Sequence, residues 1–194
     1  MSDYSILWQV AESLKKFLST KMAEVDANIG SQIIKIGPPK NTEQDKGVYI
    51  WIYRVNPNGD LRNCEGPKKP KPLPLDLHAL ITPYYSSSET ELKVLGAIMQ
   101  ILHTWPFING SQNPDPALQE DCEIRCTQEA LTLEELSQVW NSLSQPFHLS
   151  AAYLVSYVTL DSLKPASDPT PVKSTSLHSG QILHVLPQEL TGGA

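Results

Sequence analysis

The stretch from Leu73 to Tyr84, Leu-Pro-Leu-Asp-Leu-His-Ala-Leu-Ile-Thr-Pro-Tyr, constrains this chain more than any other. Leu73, Leu75, Leu77, Ala79 and Ile81 alternate with Pro74, Asp76, His78 and Thr82, the pattern of a strand with one buried face. Leu80 breaks the alternation, so the second face is expected to be covered near the strand's end. Pro74 limits the ladder at the entry, and Pro83 is expected to stop the strand.

A second strand reads from Val48 to Val55, opened by Gly47 and apolar on both faces until Arg54. Between the two lie Asn56-Pro57-Asn58-Gly59, a turn signal suited to positive φ, and a lysine-bearing loop with Lys68, Lys69 and Lys71. Together they predict a long hairpin. The basic loop reads either as a solvated segment that keeps an edge from pairing or as a contact for an acidic partner.

Helical periodicity flanks this hairpin. Ile6, Leu7, Val10, Leu14, Phe17, Leu18, Met22 and Val25 form the stripe of a first helix with Asp3 as its cap, and this stripe is expected to lie on a sheet rather than a membrane. Gln32 to Ile36 is a short strand closed by Gly37-Pro38-Pro39. Ser88 and Glu91 have capping-box spacing before a second stripe of Leu92, Leu95, Ile98, Met99 and Leu102, in which Gly96 suggests a close approach. Trp105-Pro106 ends that helix, and Phe107 to Leu118 reads as a loop. Thr132 and Glu135 repeat the capping box ahead of Leu133, Leu136, Trp140 and Leu143. From Ser150 to Leu160 a last strand is predicted, with Ala151, Tyr153, Val155 and Tyr157 on one face and Ala152, Leu154, Val158 and Leu160 on the other.

The fold class is therefore α+β, a twisted and mainly antiparallel sheet with an extended hairpin and helices packed on it. The first 163 residues make one domain. Residues 164–194 begin with Pro165, Pro169 and Pro171 in a Ser/Thr-rich linker and end in an arm with a strand-like run at 181–186, which either folds back or adds to a neighbour's edge.

Chemistry is sparse. With 15 Lys and Arg against 21 Asp and Glu the net charge is -6, which offers no overall attraction for nucleic acid. No apolar run approaches the roughly 18 residues of a membrane span, and acidic Asp3 stands where a signal peptide would be basic, so cytoplasmic synthesis is expected. Cys122 and Cys126, four apart on one strand, would lie about 13 Å from each other, too far for one tetrahedral metal or a disulfide. Cys64 adds no zinc pattern, and the five histidines have no ligand spacing. Phosphate-binding glycine loops, zinc-protease helices and nucleophile elbows are absent, so no catalytic, cofactor or metal residues are expected.

Several of these residues together resemble a family. The run from Tyr49 to Val55, Asn58, Arg62-Asn63, Leu73-Pro74-Leu75-Asp76-Leu77-His78 with Thr82-Pro83-Tyr84, Leu95-Gly96 to Leu102-His103, Leu133-Glu134-Glu135-Leu136 with Trp140, and Ser150 to Tyr153 are similar to the N-terminal domain of cap or tail-terminator proteins. Those proteins belong to phage-tail-like contractile injection systems. The likeness runs from Tyr4 to about Leu163 and departs at Ala79-Leu80, where an aromatic residue is expected before the leucine. It implies a structural protein that closes into a six-fold ring on the inner tube, contacts the last sheath layer and ends polymerisation, at one end of a particle assembled in the cytoplasm.

The implied partners are further copies of the chain, the inner tube protein and the contractile sheath protein, with neither nucleic acid nor membrane insertion. A baseplate or membrane adaptor of the same machine is the alternative, and a small hydrolase without a recognisable motif a further one. The candidate interface residues are Asn58, Arg62, Asn63, Lys68, Lys69 and Lys71 on the hairpin arm, and Ile182, Leu183 and Val185 as an augmenting strand.

Overall fold

The computed structural model describes residues 4–25, 32–39, 46–61, 72–109 and 123–163. In chain order the elements are α1 (Ile6–Val25), β1 (Ile34–Ile36), β2 (Gly47–Pro57), β3 (Leu73–Tyr84), α2 (Ser88–Thr104), β4 (Phe107–Asn109), β5 (Glu123–Glu129), α3 (Leu133–Ser142) and β6 (Ala151–Leu160). The six strands form one sheet in the order β1-β2-β3-β6-β5-β4. Only the β1–β2 pair at one edge is parallel.

β3 sits inside the sheet, as its composition dictates. β2 pairs with it from Gly47 opposite Tyr84 to Pro57 opposite Leu75, and β6 flanks its other side from Ile81 opposite Ala151 to Leu73 opposite Leu160. Leu77, Ala79 and Ile81 face a layer built by α1 and α2, where Val10, Leu14, Leu18, Ile98 and Ile101 are nearly inaccessible. Burial of aliphatic side chains of this size contributes about 1.5–3 kcal/mol each before entropy, so this layer fixes both helices to the sheet. The opposite face carries a smaller core, Leu80, Trp140 and Ala152, to which α3 adds Leu136 and Val139. Leu80 thus breaks the alternation because α3 covers that end of the sheet.

Several sequence expectations change in the folded chain. Pro83 does not stop β3, which continues to Tyr84. The proline is tolerated there because β6 has already ended at Ala151, leaving only β2 alongside. Phe107–Asn109 is a strand rather than loop, paired with Glu123 to Arg125. In β6 the register slips against β3 between Leu75 and Leu77, where Ser156 and Tyr157 oppose the single residue Asp76. Tyr157 adopts φ of +67°, so the bulge turns its ring outward and brings Val158 into the main core beside Val155, the reverse of simple alternation.

The helices show similar adjustments. Leu7, Val25, Leu92 and Leu133 are exposed, while Ala11, Val94 and Ile101 occupy the buried stripe. Gly96 is on the exposed side of α2, and a Cβ there would meet nothing within 4 Å, so it permits no close approach. Thr132 and Glu135 do form the full capping box: the Glu135 amide donates to Thr132 Oγ1, and the Thr132 amide donates back to Glu135 Oε2. Hydrogen bonds from Thr132 hold the Glu135 carboxyl below the ordinary carboxylate range. Ser88 and Glu91 form no such box. Glu91 is buried instead, and α2 starts at Ser87 without a side-chain cap. Asp3, the expected cap of α1, lies outside the described residues.

Candidate interaction surface

The hairpin end is built around Asn58. Its amide donates to the Pro74 carbonyl (2.9 Å), its Oδ1 accepts from the Leu61 amide (2.9 Å), and its Nδ2 donates to both Asp76 oxygens at 3.0 Å. Gly59 does not take positive φ. The turn signal is therefore realised by the Asn58 side chain, which mimics a backbone turn and ties the two strands. Its amide and both side-chain polar atoms are engaged within the hairpin.

From this end a one-directional hydrogen-bond chain runs across the sheet. Arg54 Nε donates to Asn56 Oδ1 (3.2 Å), which leaves Asn56 Nδ2 to donate to His78 Nε2 (3.1 Å). His78 Nδ1 then carries the proton toward Glu129 Oε2 at 2.9 Å. Glu129 also receives the Tyr53 hydroxyl. Burial first, and the Glu129 charge second, push that phenol up to about 12. These groups line a cleft of about 470 Å³ between α3 and the sheet, with Glu135 and Gln138 on its helical wall. Both ring nitrogens of His78 are committed to neighbours, so the ring has no free base. Its arrangement clamps β2, β3 and β5 to one another.

A second buried pair lies at the other end of the sheet. Glu91 Oε1 accepts from the Tyr85 amide (2.9 Å) and from His148 Nε2 (2.9 Å), which also faces the Pro83 carbonyl at 3.1 Å. Both partners are acceptors, so Nε2 bears the hydrogen. With Tyr84 at 4.8 Å between ring centroids, His148 locks the end of β3, the start of α2 and the approach to β6. The sequence hid this pair because Glu91 carries capping spacing and His148 sits in a segment without periodicity.

Cys126 is fully buried, and burial pushes its thiol up to about 12, which makes it a small hydrophobe rather than a ligand or nucleophile. Among the described residues no group of three or more His, Cys, Asp and Glu is placed to hold a metal. Among them also, no helix is long and apolar enough to cross a membrane. Of the candidate interface residues, Asn58 stands at the hairpin end. Arg62, Asn63, Lys68, Lys69, Lys71, Ile182, Leu183 and Val185 lie outside the described residues.

The six-stranded sheet, with two helices on one face and one on the other, is a fold shared with known proteins. The structure is similar to the sheath/tube terminator of the extracellular contractile injection system PVC in its extended state, with a TM-score of 0.60 and 18% identity over 94% of this chain and 66% of that one. It is also similar to the tube-terminating cap of the anti-feeding prophage, with a TM-score of 0.61 and 19% identity over 88% of this chain and 60% of that one. The chain thus spans less than two thirds of the length of either. Residues 9–174 match the Pvc16 N-terminal domain, and the chain belongs to that family. No curated protein sequence matches it significantly.

Proposed function

We propose that this chain is a terminator of a contractile injection system: copies close into a ring, six-fold by the symmetry of the tube, that seats on the inner tube, meets the last sheath layer and ends growth of both. The observation that carries this reading is the family match over residues 9–174, joined to a fold shared with two terminators of such particles. The sheet's geometry supports a ring. Its two edge strands, β1 and β4, run in the same direction and differ in sequence, so a contact joining one edge to the other would be heterologous. A heterologous contact closes when its rotation divides a full turn.

The role is structural. The His78–Glu129 pair, the nearest thing to a catalytic dyad, is used up in clamping strands. The net charge of -6 offers no overall attraction for a nucleic acid in the lumen. Its partners are accordingly its own copies, the tube protein and the sheath protein, and it assembles in the cytoplasm at one end of the particle.

Particles made without the gene provide the test. Electron microscopy is expected to show tubes and sheaths of uncontrolled length, or unstable ones. Capped particles of normal length in the deletion strain would overturn the proposal.

A further inference from the structure

Tyr157 holds a strained backbone on a strand inside the sheet. Its φ of +67° lies in the left-handed region, where a bulky side chain is a genuine outlier. The bulge does not call for a ring there, because glycine would carry the same backbone without strain. Nor does packing call for one, since the residue is 47% exposed. Strain of this kind clusters at ligand clamps and binding sites, and bulges re-aim side chains beside them. The ring lines a pocket of about 280 Å³ at the hairpin end of the sheet, on the face that α3 covers near Leu80 and Ala152. Asn58, Asp60 and Leu61 close the pocket from the hairpin. The remaining lining is mixed: Leu154 is apolar, Thr127 and Ser156 bring hydroxyls, and Arg125 is the one cation. Among the described residues the Arg125 guanidinium meets the Phe107 ring, at 5.6 Å, but no carboxylate. Asp60, the one acid of the lining, has an interaction of its own.

We infer that this pocket receives an aspartate or glutamate side chain of a neighbouring protein subunit, its carboxylate on Arg125 and its flanking residues against the Tyr157 ring. Charge complementarity selects the occupant. A guanidinium offers a planar fork of donors that matches a carboxylate bidentately, and the Thr127 and Ser156 hydroxyls stand on the same wall to add to it. A single cation with an acid nearby suits one carboxylate; the phosphate row of a nucleic acid calls for several cations along one track. The residue types agree, since Tyr and Arg carry most of the energy of protein interfaces when an apolar surround excludes water from them, as Leu61 and Leu154 do here. The strain at Tyr157 thereby has a use: it presents the ring to the partner. The inference rests on the terminator reading for where the partner is found, which is the assembled particle.

The test uses particles from a deletion strain complemented with the full chain. Arg125→Lys places an amine where the guanidinium stands, and a zero-length carbodiimide joins an amine to a carboxylate in direct contact with it. Mass spectrometry of treated particles is expected to find the introduced lysine joined to an Asp or Glu of another subunit, and the joined peptide identifies that subunit. Particles that hold the parent chain but exclude Arg125→Lys would support the contact as well, because residue 125 is exposed and the change spares the fold. Tyr157→Gly is expected to unfold at no lower denaturant concentration than the parent, yet to fall about tenfold or more in copies per tube. Incorporated Arg125→Lys that couples to no other subunit would overturn the inference. So would a Tyr157→Gly chain that keeps its copy number, or one that loses stability, since the ring would then serve the fold. Absence of the parent chain itself from particles would overturn the terminator reading and this inference with it; every other failure falls on the pocket alone.

Discussion

Replacing Trp140 by alanine is expected to cost about 3–5 kcal/mol in equilibrium unfolding, the range for deleting a large buried aromatic. Trp140 is 1% exposed, packs on Leu80 and Ala152, and donates its indole N–H to Ser150 Oγ at 3.3 Å. The fully buried Leu80 beside it is held in β3 between β2 and β6, so little nearby can collapse into the space that Trp140 leaves. Trp140→Phe keeps most of the apolar contact and is expected to lose clearly less. A denaturant titration of the three proteins checks the order. A loss below about 1 kcal/mol for Trp140→Ala would mean that α3 is held by something other than this contact.

Gly47→Ala is the second substitution with a large expected effect. Gly47 has φ of +150°, and a Cβ built on it would stand 2.5 Å from the Ile33 carbonyl oxygen. That oxygen accepts the Val48 amide at 2.8 Å, the bond that begins the β1–β2 pairing. Backbone strain in this region costs roughly 1–3 kcal/mol for a residue other than glycine, and the collision adds to it unless β1 withdraws. The expected outcome is a lowered unfolding midpoint together with faster amide exchange at Val48. Stability within about 0.5 kcal/mol of the parent would contradict the tight β1–β2 approach.

The central elements were legible because their side chains obey simple periods. Leu73 to Ala79 alternates, the Thr132 capping box is local, and the stripes of α1 and α2 need only an approximate face to be recognised. What escaped depends on distant partners. The bulge at Tyr157 shifts a face by one residue, and nothing in Val-Ser-Tyr-Val marks where it falls; it follows from how β6 meets β3. Glu91 looks like a cap until His148, 57 residues away, is brought to it. Likewise His78 reads as a solvent-side residue of an alternating strand, and only the fold places Glu129 beside it. Phe107–Asn109 is too short for periodicity, and becomes a strand because β5 offers it an edge. The candidate interface residues were read only as residue types, and all but Asn58 lie outside the described residues. The Asn58 amide and side-chain groups are bonded inside the hairpin.

The proposed role of this subunit is to close the end of a tube. Its most direct measurement is cryo-electron microscopy of intact particles carrying the chain fused to a bulky fluorescent domain. The extra density is expected as one ring at a single end, the end away from the baseplate, in contact with the last layers of tube and sheath. Density at the baseplate, along the sheath, or absent from purified particles would contradict the account.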